Sequence, residues 1–166
     1  MTTLPITNPT PQKRETLYSY AARLAATWQT DTRSLLRDMD VSIAGFVNLR
    51  AADLEKFAHW SGLDTNQMNE VASWTGVSAG PHRILFRGEV FSVRALRTPV
   101  MRGCPVCLRT DSDGAVFRGD WQYRDVSVCL EHQHALVALW EDKNIFARID
   151  IRARLPEIME DVRAGQ

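Results

Sequence analysis

A run of roughly 20 apolar residues, the length needed to cross a bilayer, is missing from this chain. Its start, Met1-Thr2-Thr3-Leu4-Pro5, also lacks the basic segment and apolar stretch of a secretion signal. A soluble, cytoplasmic chain with no membrane partner is therefore expected. Net charge is missing too. Twenty basic and twenty acidic side chains cancel, so no overall field draws the molecule to nucleic acid or anionic lipid, and any such binding must be local. Catalytic motifs are absent: there is no phosphate-cradling glycine loop, no His-Glu-x-x-His element and no nucleophile elbow. The expectation is a binding module and not an enzyme. Cysteine is scarce, and an odd total of three disfavours a complete disulfide framework; in a reducing compartment such residues are thiols or metal ligands. Repeats of solenoid length and low-complexity tracts are also lacking.

What is present can bury a core. A chain of 166 residues, 45% of them hydrophobic, suffices for one domain or two small lobes. Pro5, Pro9 and Pro11 make residues 4 to 13 an extended arm, since proline lacks the amide donor a helix interior needs. From Glu15, the residues Leu17, Tyr20, Ala21, Leu24 and Trp28 recur at helical spacing, and Leu35, Leu36 and Met39 continue after the polar break at 29 to 32. Two helices follow, the second capped by Asp31 or Thr32. A third helix begins near Ala52 or Asp53 and buries Leu54, Phe57 and Ala58. Gly62 ends it, and a fourth carries Met68, Val71, Ala72 and Trp74. This pair, joined by a short glycine turn, reads as a helix-turn-helix unit. Residues 83 to 101 read as loops with a short helix. Strands are expected at Arg102 to Cys107 and Val116 to Val128 around the turn Asp111-Ser112-Asp113-Gly114, then a helix from Cys129 to Trp140. Trp28, Trp60, Trp74, Trp121 and Trp140 sit at apolar positions and read mostly as core.

The fold class expected is mainly α, with helix-turn-helix units followed by a small zinc-ribbon-like lobe. Its parts are an arm and helical region at 1–82, an arginine-rich connector and zinc-binding lobe at 83–140, and a short charged, loosely held tail at 141–166.

The strongest chemical signal is Cys104-x2-Cys107 followed by Cys129-x2-His132. Each two-residue gap lets a tight turn aim both ligand atoms into one volume, and three thiolates with an imidazole complete a tetrahedron suited to one structural Zn²⁺. A redox pair plus a buried thiol is the competing reading; that all three cysteines fall in the motif weighs against it. His134 competes as fourth ligand, but in a helix His132 lies beside Cys129 while His134 points elsewhere. A nucleobase deaminase would need proline before Cys104 and a His-x-Glu element. Gly103 occupies that place, and neither His59-Trp60-Ser61 nor His82-Arg83-Ile84 supplies the glutamate.

Two surface groups remain. Arg83, Arg87, Arg94, Arg97, Arg102 and Arg109 face a single acid, Glu89, over one stretch of chain, a candidate patch for phosphate or an acidic protein surface. Asn66, Gln67 and Asn69 can hydrogen-bond base edges. Their helix pair, however, carries Asp53, Glu55, Asp64 and Glu70 against Lys56, which opposes the phosphate contacts that supply most affinity.

Four pieces together resemble the TniQ family of bacterial transposition proteins: Glu15-Thr16-Leu17-Tyr18-Ser19-Tyr20-Ala21-Ala22-Arg23-Leu24-Ala25 after the arm, the helix pair near 53 to 75, Arg102-Gly103-Cys104-Pro105-Val106-Cys107-Leu108, and Trp121-Gln122-Tyr123 leading into Val128-Cys129-Leu130-Glu131-His132. The resemblance implies an α-rich fold with a zinc segment and a role in choosing transposon insertion sites. It implies an adaptor between DNA or an RNA-guided targeting complex and the AAA+ regulator ATPase of the transposon. The chain departs from many relatives in having no second cysteine pair, so DNA contact is expected to be weak and non-specific. A homodimer is compatible with the sequence. A sequence-specific helix-turn-helix DNA-binding protein is the alternative.

Overall fold

Capping chemistry cuts the first half of the chain into short helices. The computed structural model describes residues 7–96, 100–111, 114–141, 149, 151, 154 and 160. Helix α1 spans Leu17–Thr27, with the Thr16 hydroxyl accepting from the Ser19 amide. Helix α2, Thr32–Asp38, is capped in the same way by Asp31 on Ser34, and α3, Ile43–Val47, by Ser42 on Gly45. Each cap satisfies an amide that the helix itself leaves unpaired. Helix α4, Ala51–Ser61, stops at Gly62, whose φ of 75° is left-handed, and α5, Thr65–Ser73, opens on a capping box between Asp64 and Gln67. The sequence-based reading holds for α1, α2, α4 and α5. It missed α3, five residues being too few to show a period.

Gly62 is a testable weak point. A Cβ there would meet nothing within 4 Å, so Gly62→Val acts through backbone strain alone. We expect a loss of about 1–3 kcal/mol, read as a Tm lower by about 2–12 °C; an unchanged melt would show that the left-handed turn is not needed.

The second half of the chain corrects the mainly α expectation. After α5 comes an antiparallel sheet of order β1-β2-β3, made of Val77–Ser78, Arg83–Phe86 and Glu89–Ser92. Arg87 and Gly88, both at positive φ (52° and 79°), form the two-residue hairpin turn whose twist matches its strands. A second sheet pairs β4, Val100–Gly103, with β5, Val137–Glu141, with an irregularity in register between Met101 and Arg102. Between them lie helix α6, Pro105–Thr110, and a 3₁₀ turn at Gly119–Gln122. The architecture is therefore mixed, helices followed by two small antiparallel sheets. The strand expected at Arg102 to Cys107 is realised only at its start. The helix expected at Cys129 to Trp140 is a turn and a strand, and Val116 to Val128 is not a continuous strand. Ser112 and Asp113, in the expected turn, lie outside the described residues.

One apolar cluster runs from α1, α2 and α5 to Cys104, Cys107, Leu108, Trp121, Cys129 and Leu139. It includes Ile149 and Ile151, which are 0% and 3% exposed, so these described residues of the expected loose tail are buried. Of the five tryptophans only Trp121 is fully buried; Trp28 and Trp60 are 40% and 49% exposed. One side-chain bridge, from α1 to the end of α5, and one backbone seam, from the start of α1 to the second half, tie α1 into the fold. Thr75 accepts from the Leu17 amide and donates to the Val71 carbonyl, both at 2.8 Å. Glu15 and Arg118 form an antiparallel bridge, flanked by bonds from Thr16 N to the Phe117 carbonyl (3.0 Å) and from Gly119 N to the Arg14 carbonyl (2.7 Å).

Candidate metal centre and basic surface

Strand β4 ends at Gly103, where an added Cβ would lie 3.0–3.2 Å from Leu139, Leu108 and Trp121. This close approach lets the backbone turn and deliver Cys104 as the N-cap of α6. Pro105 follows in the first turn, where its missing amide costs nothing. The Cys104 sulfur accepts from the Cys107 amide at 3.5 Å. The second ligand pair sits in a tight loop closed by Cys129 N to the His134 carbonyl (2.8 Å) and Gln133 N to the Cys129 carbonyl (2.9 Å), with Gln133 at a φ of 51°.

The four side chains converge. Their ligand atoms all lie within 4.8 Å of one another. His132 Nδ1 is 3.2 Å from Cys107 Sγ and 3.9 Å from both Cys104 Sγ and Cys129 Sγ, and the Cys107 and Cys129 sulfurs are 3.6 Å apart. Bond lengths of ~2.3 Å to sulfur and ~2.1 Å to nitrogen make tetrahedral edges of ~3.6–3.8 Å, which these separations bracket. The cysteines are buried free thiols. The donor set thus fits a tetrahedral metal ion with every position filled by protein. Burial pushes the Cys107 thiol up, against the pull of the Arg118 cation. Burial also acts to raise the Cys129 thiol, but the amides of His132 and Glu131, with the His132 ring, outweigh it and bring it down to about 7.

The structure brings Cys104, Cys107, Cys129 and His132 together and leaves His134 out. The His134 ring nitrogen lies 2.9 Å from the neighbouring Ala135 carbonyl. It is His132 that the structure groups with the cysteines, although the helix on which that expectation rested is not there.

A charge network around the cluster was invisible in the sequence. Arg118, buried, makes two contacts with Asp111 at 2.9 and 3.3 Å and lies 3.6 Å from Glu131. Glu131, between the ligands Cys129 and His132, also meets Arg14 at 2.9 Å. Arg14 Nε stands 3.1 Å from Asp120, but both atoms lack an aligned hydrogen bond, so that contact is Coulombic. Arg14 and Glu131 are 117 positions apart, which is why no local pattern pointed to them.

The described arginine and asparagine candidates do not all share one face. Arg87 pairs with Glu70 at 2.9 Å and lies 4.2 Å from the centre of the Trp74 ring. Arg83 and Arg94 are exposed near the open end of the β2–β3 hairpin, opposite the turn that holds Arg87. Arg102 is half-buried on β4, Arg109 is exposed on α6, and Arg97 lies outside the described residues. Gln67 is consumed by the capping box, its amide oxygen accepting from Asp64 N at 3.0 Å; Asn66 and Asn69 are exposed.

Among the described residues no helix is long and apolar enough to cross a membrane. No curated protein and no solved structure matches the chain. The TniQ family does match, over residues 6–136, a span that contains the seam at Glu15 and Arg118 and all four clustered side chains. The chain therefore belongs to the TniQ family, and is a transposition-associated protein.

Proposed function

We propose that this chain is a target-selection adaptor, built around one structural zinc ion, that binds the AAA+ regulator ATPase of its transposon and touches DNA weakly through arginines. The observation that carries this reading is how the side chains able to read DNA are used. Gln67 is committed to a helix cap and Arg87 to Glu70 and Trp74. With Glu70 paired to Arg87, the α4–α5 surface still keeps an acidic excess of Asp53, Glu55 and Asp64 over Lys56. A helix that reads bases needs basic neighbours on the phosphates. Four protein ligands leave the zinc no site for water or substrate, which supports a structural role and a non-enzymatic protein.

Duplex DNA binding should accordingly be weak, salt-sensitive and indifferent to sequence. Charge reversal of the exposed Arg83 and Arg94 should weaken binding to every duplex alike, and Asn66→Ala should change little. Pull-down of the purified ATPase should persist without DNA. A selected duplex bound at least ~1,000-fold more tightly than random DNA at physiological salt, a ratio typical of specific readers, together with its loss in Asn66→Ala, would replace this reading with sequence-specific recognition.

A further inference from the structure

A cavity of about 310 Å³ opens between the start of α1, the β1–β2 strands, β4 and the 3₁₀ turn at Gly119–Gln122. Its size is at the lower end of the range for ligand pockets, room for one or two side chains or a chain end. The charge of its wall is one-sided. Arg83, Arg102, Arg118 and His82 line it, and among the described residues no aspartate or glutamate does. Arg118 is neutralised by Asp111, but Arg83 and Arg102 form no ion pair among the described residues.

Three of the lining side chains carry a buried donor without a partner: Arg102 Nε, Arg118 Nε and Trp121 Nε1. Buried donors are nearly always paired, because an unpaired one costs its full desolvation. The irregularity in β4 falls between Met101 and Arg102, and both residues line the cavity. Bulges of this kind re-aim a side chain next to a site. The rest of the wall is apolar: Leu96, Met101, Phe117 and Ile151.

We infer that this cavity is a binding site for a carboxylate carried on an apolar peptide segment, with the guanidinium of Arg102 taking the charge. Nucleic acid fits less well. A phosphodiester would bring a sugar and adjoining charges against the apolar wall, and a duplex cannot enter so small a space. The inference rests on the cavity alone and stands or falls independently of the adaptor role.

The test is calorimetric titration of the zinc-loaded full chain with N-acetyl-Leu-Glu, its uncharged Leu-Gln amide and inorganic phosphate. The charged peptide should bind saturably, and the neutral one at least ~10-fold more weakly, the usual worth of a charge-assisted contact. Arg102→Met should weaken the charged peptide by a similar factor at unchanged zinc content and Tm. Val93→Trp, which fills the space from the wall, should abolish it, and serves with the charged-to-neutral ratio should Arg102→Met fail to fold. The inference is overturned by no saturable binding up to about 20 mM, by equal binding of both peptides, or by indifference to Arg102 in a folded variant. Phosphate binding more tightly than the peptide, in an Arg102-dependent way, would overturn the peptide assignment.

Discussion

Cys107→Ser is expected to eliminate stoichiometric zinc and to unfold the segment from β4 to β5. Zinc binding to a small structural site supplies ~10–16 kcal/mol at neutral pH, as much as the whole stability of a typical domain. The effect will not stop at the loop. Cys104, Cys107 and Cys129 belong to the apolar cluster that also contains Leu17, Phe46 and Phe57, and Glu131 beside the ligands is paired to Arg14 and Arg118. Hydrogen exchange should therefore show lost protection both at 103–136 and at the start of α1, where the Thr16 amide donates to the Phe117 carbonyl. His132→Ala should show the same defect, and His134→Ala should not, since only the former ring faces the thiols. Wild-type protein purified without chelator but free of zinc, or a Cys107→Ser protein with undiminished zinc, would remove the metal from the account.

The parts of this structure that were legible in the sequence are those set by neighbours along the chain. Asp31, Asp64 and Gly62 announce helix ends because a cap or a left-handed turn is a matter of two or three consecutive residues. The pairs Cys104/Cys107 and Cys129/His132, which the structure brings into one cluster, are legible for the same reason. The sheets were not. Strands β2 and β3 are four residues each, too short for alternation to stand out, and the turn joining them is Arg87-Gly88 where Asn-Gly would have been a clear signal. The stretch from Cys129 to Trp140 misled because its apolar residues satisfy a helical count, yet Leu130 is 64% exposed and the later ones alternate along β5. Charge pairing was hidden altogether. Of the arginines that could be counted but not placed, Arg87 is held by an acid 17 positions away; Arg118, outside the counted set, is held by Asp111, 7 positions away.

Arg23→Met is expected to cost about 3–5 kcal/mol, the range for breaking a buried ion pair by removing one partner, or a Tm lower by about 6–20 °C. Arg23 and Glu15 are 1% and 0% exposed and 2.7 Å apart. Glu15 also accepts from Ser19 Oγ (2.8 Å) and from the Gln12 amide (2.9 Å), and Ser19 Oγ in turn accepts from the Phe117 amide at 3.0 Å. The pair thus holds the seam between α1 and the half that carries the cysteine–histidine cluster. Burial pushes the Glu15 carboxyl above its ordinary value, with Arg23 pulling it back. Without Arg23 only the weaker hydrogen bonds oppose burial, so the carboxyl rises further in the folded variant than in wild type. A folded-state pKa raised above the unfolded one favours folding at low pH, and that stability is lost as pH rises through the raised value. The gap in Tm between wild type and Arg23→Met should therefore narrow as pH falls from neutrality toward the ordinary glutamate range. The double variant Glu15→Leu/Arg23→Met, which buries no charge, should recover much of the loss, since an apolar replacement of a buried pair is often neutral. A single variant within about 1 kcal/mol of wild type, or a gap that widens on acidification, would show that the pair does not hold this seam.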